Sequence, residues 1–201
     1  MKDPMKLLIA VPCTDYMHAD FVKSLIGLTQ HLSREGICYD VDIRAGTLVY
    51  LARNSLACKA INDGFTHMLF LDSDMVFEKE IVEALRFCGK KIVCGVFHSR
   101  RPPYGSCIFR SLKPAERVTA KGMEPFRVEG CGMACVLISA ESLKNVQKTY
   151  GNCFNPTNEF GEDLAFCWRA RSLGEEIWCE PTARVGHIAH VPIWPGEEPA
   201  K

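Results

Sequence analysis

Apolar runs of strand length alternate with stretches of helical spacing from Lys6 to Phe97, and that alternation restricts the chain to very few folds. Lys6 to Cys13 reads as a strand, and Ala19 to Arg34 carries Phe21, Val22, Leu25, Leu28 and Leu32 at helical spacing before Gly36 closes it. Ile37 to Arg44 alternates Ile37, Tyr39, Val41 and Ile43 as a second strand, and Val49 to Asp63 reads as a helix ended by Gly64. A third strand covers 67 to 71. Glu78 to Cys88, with acids in its first turn and Gly89 behind it, is the next expected helix, and Lys91 to Phe97 the next strand. Such alternation predicts an α/β fold with a mostly parallel sheet covered by helices.

The second half is less regular. His98 to Ser106 is turn-rich and reads as a mobile loop, and Arg127 to Ser139 holds a Gly130-Cys131-Gly132 break before the apolar strand Met133 to Ile138. Ala140 to Tyr150 is expected as a helix capped by Ser139. After a loop over 152 to 161, Glu162 to Leu173 reads as a helix with Leu164, Cys167 and Trp168 on one face, stopped by Gly174. Ile177 to Cys179 adds a short strand. With 201 residues, 47% of them hydrophobic, the chain suits one well-buried core, so a single domain is expected over 1–190, followed by a Pro-rich tail over 191–201.

Charge and cysteine usage narrow the setting. The 24 basic and 24 acidic residues cancel, so no bulk field draws the protein to nucleic acid or an anionic membrane. The first apolar stretch is too short for a signal sequence and is interrupted by Pro12, and no window approaches the roughly 20 apolar residues that span a bilayer. Eleven cysteines form an odd set without a CxxC pair, several of them inside apolar runs, which predicts reduced core thiols and a cytoplasmic location.

The third strand carries the chemistry. Met68 to Leu71 is apolar and stops at Asp72-Ser73-Asp74, which places two carboxylates at the carboxyl end of a buried strand, where open α/β sheets hold their ligands. Like charges this close raise each other's pKa unless a cation lies between them, and hard oxygens suit Mg²⁺ or Mn²⁺ carrying a diphosphate. A solvated turn is the plainer explanation of Asp-Ser-Asp alone. Likewise, Glu162 and Asp163 at a helix start are explained by the helix dipole until their order in the chain is considered.

That order runs from Pro12 at the first strand's end, through Ala52-Arg53-Asn54, Asp72-Ser73-Asp74 and Gly161-Glu162-Asp163, to His187 in Arg-Val-Gly-His. From Leu8 to about His187 the chain resembles the GT-A fold glycosyltransferases, in particular the family 2-like enzymes that use a nucleotide-diphospho-sugar, with Asp72-Ser73-Asp74 as the DxD motif and Glu162-Asp163 as the ED motif. The resemblance implies a single GT-A catalytic domain and a metal-dependent transferase that moves a sugar, from a UDP-sugar by preference, to an acceptor hydroxyl with inversion. It makes Asp74 a direct metal ligand, Asp72 a contact to ribose or to the metal and its water shell, and His187, or its competitor His190, a further ligand that favours Mn²⁺ over Mg²⁺. Asp163 is the implied base and Glu162 a contact to acceptor or donor sugar. Pro12, Thr14 and Ser73 fall on the nucleotide side, and Gly130 and Gly132 would let backbone approach the donor sugar or simply form a bulge.

The nearby cations have two readings each. Arg53 is expected at the diphosphate or the nucleobase, with a surface ion pair as its other reading, Arg44 either there or in a surface ion pair, and Arg100 and Arg101 in a loop that closes over phosphate or stays solvated. The acceptor is open among a small molecule, a glycan, a protein and a modified DNA base. Leu-Phe-Leu-Asp-Ser-Asp-Met-Val also resembles the nucleophile strand of haloacid-dehalogenase-like phosphatases, in which Asp72 would attack phosphorus. That strand normally opens its domain, whereas two strand-helix units precede it here. A sugar-nucleotide nucleotidyltransferase and a non-catalytic binding module are the remaining alternatives.

Overall fold

The computed structural model describes residues 4–120 and 122–189, so His190 and the Pro-rich tail expected over 191–201 lie outside the described residues. In chain order the elements are β1 (Lys6–Pro12), α1 (Ala19–Arg34), β2 (Cys38–Arg44), α2 (Val49–Asn62), β3 (His67–Leu71), β4 (Met75–Val76), α3 (Ile81–Phe87), β5 (Ile92–Val96) and β6 (Ile108–Leu112). They continue with β7 (Ala115–Arg117), β8 (Phe126–Val128), β9 (Gly130–Cys131), β10 (Cys135–Ser139), α4 (Ala140–Tyr150), α5 (Glu162–Ser172), β11 (Ile177–Arg184) and β12 (Gly186–His187).

The central sheet has seven strands in the order β2-β1-β3-β10-β5-β11-β8. β2, β1, β3, β5 and β11 share one direction, and β10 and β8 run against them. This is the mixed, mostly parallel sheet that the alternation implies. β1 and β3 read as unbroken apolar runs because both of their faces are covered, whereas β2 alternates and is half exposed as befits an edge.

Successive residues of β3 serve opposite layers. Met68 and Phe70 join Leu56, Ala60, Leu143 and Phe166 on the side of α2, α4 and α5; Leu69 and Leu71 join Phe21, Leu28, Val82 and Leu85 on the side of α1 and α3. The strand carrying the acidic turn is therefore clamped from both faces. α2 stops where Gly64 takes a φ of +68°, a left-handed conformation that costs a Cβ-bearing residue energy. Ser139 caps α4, its Oγ accepting from the Ser142 N–H at 3.1 Å.

Several local expectations are corrected. The helix expected from Glu78 begins at Ile81, because Met75–Val76 leaves as a strand against Gly186–His187 and Glu78–Glu80 forms a turn closed by Ile81 N–H to Glu78 O at 3.1 Å. On α5 the buried residues are Ala165, Phe166, Cys167, Arg169 and Ala170, and Trp168 is 41% exposed. The Phe154–Phe166 stack, with centroids 4.7 Å apart, turns the helix face away from the expected one. β11 continues past Cys179 to Arg184: Glu180 accepts from Thr182 across an irregularity, and the strand rejoins β5 at Val96. The small β7-β6-β9 sheet and the edge strand β8 lie in the stretch the sequence left irregular. All eleven cysteines are free thiols.

Candidate active site

Strand ends build the site. β1 delivers Pro12 and β3 delivers Asp72, whose N–H bonds Ala134 O at 3.1 Å, while Met75 N–H to Asp72 O at 3.1 Å closes the acidic turn. Pro12, Thr14, Asp72, Ser73, Asp74 and Arg100 are brought together around a cavity of about 450 Å³ at the carboxyl edge of β1 and β3. This is the topological edge at which ligands of open α/β sheets bind.

The two aspartates have different partners. Asp72 is gripped by Arg53 from α2, Nη2 lying 2.9 and 3.2 Å from the two carboxylate oxygens. Arg53 is only 3% exposed, lies 5.0 Å over the Phe70 ring, and places its Nε 3.8 Å from Glu162. It therefore ties both acidic motifs together from below and is not free to meet a diphosphate. Its neighbour Asn54 accepts from Phe154 N–H and donates to Asn155, both at 2.8 Å, which pins the loop leading into α5.

Asp74 faces the opposite way. Its Oδ2 accepts from Arg100 Nη1 and lies 3.3 Å from His187 Nε2. The β4–β12 ladder and the Ile188 N–H to Asp74 O bond at 2.9 Å bring residue 187 there. His187 Nδ1 sits 2.8 Å from the His98 carbonyl, which can only accept, so the proton is on Nδ1 and Nε2 is the nitrogen aimed at Asp74. The contact with Asp74 raises the His187 pKa above the ordinary histidine value although burial works against it. Burial raises Asp74, but His187 and Arg100 more than reverse this and hold it below the usual aspartate value.

An O/N pair of this kind suits Mn²⁺ or Mg²⁺, ions that complete their coordination with water and phosphate oxygens. Among the described residues no group of three or more His, Cys, Asp or Glu side chains is placed to hold a metal; Asp74 and His187 face each other, while both oxygens of Asp72 accept from Arg53. The Nδ1–H bond to a main-chain carbonyl is the second contact that orients metal-ligating histidines.

Asp163 opens α5 beside Glu162. Burial, then the Glu162 charge, raise its pKa above the usual carboxylate value; the Leu164 N–H, 2.8 Å from Oδ1, and the Arg53 charge pull the other way. The helix-terminal lowering expected from position alone is thus outweighed by burial. Arg44 pairs with Asp42 at 2.8 Å and does not border the cavity. Gly132 does not border it either: a Cβ there would meet Phe97 Cζ at 2.9 Å, and Phe97 in turn packs edge-on to His187 with centroids 6.2 Å apart. The sequence did not single out the His98 carbonyl or the β4–β12 ladder, since neither a main-chain acceptor nor a two-residue strand leaves a pattern.

Neither a family model nor a curated protein matches this sequence. Solved structures do. The crystal structure of A197 from STIV matches with a TM-score of 0.60 at 18% identity, covering 96% of this chain and 99% of that one. GalNAc-T7, crystallised with UDP, GalNAc and Mn²⁺, matches at 0.61 and 12% identity over 98% of this chain but 45% of its own. The catalytic domain of Drosophila β1,4-galactosyltransferase 7, in complex with xylobiose, matches at 0.58 and 14% identity over 92% and 71%. The chain therefore has the GT-A fold, the architecture of nucleotide-sugar glycosyltransferases. Its neighbours within that fold include transferases, and one of them holds a nucleotide, a sugar and a divalent metal.

Proposed function

We propose that this protein is a metal-dependent glycosyltransferase that moves a sugar from a nucleotide-diphospho-sugar, a UDP-sugar by preference, to an acceptor hydroxyl. The observation that carries the reading is the pairing of Asp74 Oδ2 with His187 Nε2 at 3.3 Å beside a cavity bounded by Pro12, Thr14, Asp72 and Ser73. Asp74 and His187 would hold Mn²⁺, which would supply charge neutralisation to the departing diphosphate. Pro12, Thr14 and Ser73 border the space for the nucleoside and its phosphates.

Asp163 is the base. Its raised pKa suits a group that must take a proton from the acceptor hydroxyl as the new C–O bond forms at the anomeric carbon and the bond to diphosphate breaks. One such base serves a single inverting displacement. Glu162, 3.8 Å from Arg53, is the candidate contact to a sugar hydroxyl. A phosphatase using Asp72 as nucleophile is disfavoured because both Asp72 oxygens accept from a buried guanidinium. The test is a panel of UDP-sugars and other nucleotide-sugars with Mn²⁺, followed as release of nucleoside diphosphate with and without acceptor sugars. Hydrolysis of a simple phosphomonoester, with no turnover of any nucleotide-sugar, overturns the reading.

A further inference from the structure

Two nitrogen groups, one imidazole and one guanidinium, meet on one oxygen at Asp74. Oδ2 faces His187 Nε2 at 3.3 Å and also accepts from Arg100 Nη1. A divalent ion placed between Oδ2 and His187 Nε2 would meet the positive charge of Arg100 on that same oxygen. A guanidinium keeps its proton and charge at any working pH, so it cannot be neutralised out of the way and must be displaced. Arg100 is built for displacement: its side chain is 49% exposed, and among the described residues no hydrogen bond or ion pair other than the one to Asp74 holds its guanidinium.

The main chain around Arg100 is held by its own hydrogen bonds. The loop is closed at its base by the His98–Ser106 bridge, by Ser99 N–H to Gly105 O at 2.9 Å and by Tyr104 N–H to Arg101 O at 2.9 Å. Arg100 already borders the cavity shared with Pro12, Thr14 and Ser73, and on its other side a second cavity of about 460 Å³ beside Tyr104 and Arg184. Arg100 thus stands at the rim of the first cavity with its guanidinium on the Asp74 carboxylate.

Resting on the glycosyltransferase reading, we infer that Arg100 is an exchanging cation: it covers the Asp74 oxygen until a divalent ion takes that oxygen, and then binds the diphosphate that the ion carries. The consequence is coupling. Metal alone must compete with Arg100, whereas metal arriving with a diphosphate gains Arg100 as a further ligand for the anion, so each binds more tightly in the presence of the other. A guanidinium is well suited to the second role because its planar donors match phosphate oxygens.

The test compares the wild type with Arg100→Gln, with Arg101→Gln as a control on the same loop that does not touch Asp74. Titration with Mn²⁺ alone, followed by electron paramagnetic resonance of the free ion, is expected to show binding tightened about 2- to 5-fold in Arg100→Gln, the range a half-exposed ion pair supplies. Titration with inorganic pyrophosphate at saturating Mn²⁺ is expected to show the opposite, binding weakened about 5-fold or more. Pyrophosphate makes this independent of the nucleobase. Equal or weaker Mn²⁺ affinity in Arg100→Gln overturns the competition, and unchanged pyrophosphate affinity overturns the transfer of the charge. If no form of the protein takes Mn²⁺, both this inference and the metal-dependent transferase reading fall. If Mn²⁺ and pyrophosphate behave as expected but no nucleotide-sugar turns over, only the latter does.

Discussion

Arg53 donates to both carboxylate oxygens of Asp72, at 2.9 and 3.2 Å, from beneath the acidic turn. The pair divides the labour of the two aspartates: Asp72 anchors the turn to α2, and Asp74 is left to face His187 and Arg100. Replacing Arg53 with Met should therefore cost about 3 kcal/mol of stability, since it strands Asp72 and the nearby Glu162 without their cation. Urea denaturation measures this, and a loss below about 1 kcal/mol would show that the ion pair is incidental.

The same division predicts unequal metal phenotypes. Asp74→Ala should abolish Mn²⁺ binding in calorimetry, and His187→Ala should weaken it without abolishing it. Asp72→Asn should retain Mn²⁺ binding while losing stability, because an amide accepts less well from the guanidinium. If Asp72→Asn lost the metal as completely as Asp74→Ala, Asp72 would belong to the coordination shell.

Asp163→Asn separates catalysis from stability. Turnover should fall about 10²- to 10⁴-fold with donor binding preserved, the loss that removal of a positioned base produces. Stability should rise at neutral pH. The fold raises the Asp163 pKa, so it favours the protonated acid; that favour is complete below the ordinary aspartate value and is lost as pH climbs through the raised one. Thermal unfolding of the two proteins should thus coincide near about pH 3 and diverge in favour of the uncharged amide variant above the raised value. Full turnover in the variant would remove Asp163 from the base position.

Gly132→Ala is expected to act at a distance on the metal. The new Cβ would press on Phe97, 2.9 Å away, and Phe97 packs against the His187 ring. We expect about 2 kcal/mol of destabilisation together with weakened Mn²⁺ affinity. A variant that loses stability but binds Mn²⁺ normally would confine the effect to packing.

The helix α1, the strand β3 and the capped helix α4 were legible because each carries its own complete signal: a periodic apolar face, an unbroken buried run, and a Ser139 cap. What the sequence obscured depends on partners elsewhere. Met75–Val76 is a strand only because Gly186–His187 lies beside it, and Trp168 faces outward only because Phe166 stacks on Phe154. Among candidate site residues, Asp72, Asp74 and His187 stood out in the sequence as residues. That Arg53 takes Asp72 while Arg100 takes Asp74 did not, because the choice between two neighbouring carboxylates is decided by side-chain direction, and sequence spacing does not carry it.

The two-stranded ladder between β4 and β12 has a consequence for synthesis. Asp74 and His187 are 113 positions apart, so the carboxylate leaves the ribosome long before the imidazole that faces it. Between them the chain must make β5, β10 and β11, two of which bring the sheet to the point from which β12 can turn back. A chain cut before Gly186 keeps the acidic turn without its nitrogen partner. Capture of the proposed divalent ion by both groups thus becomes possible only once residues 186 and 187 have been made, and until then the growing chain carries the acidic turn alone.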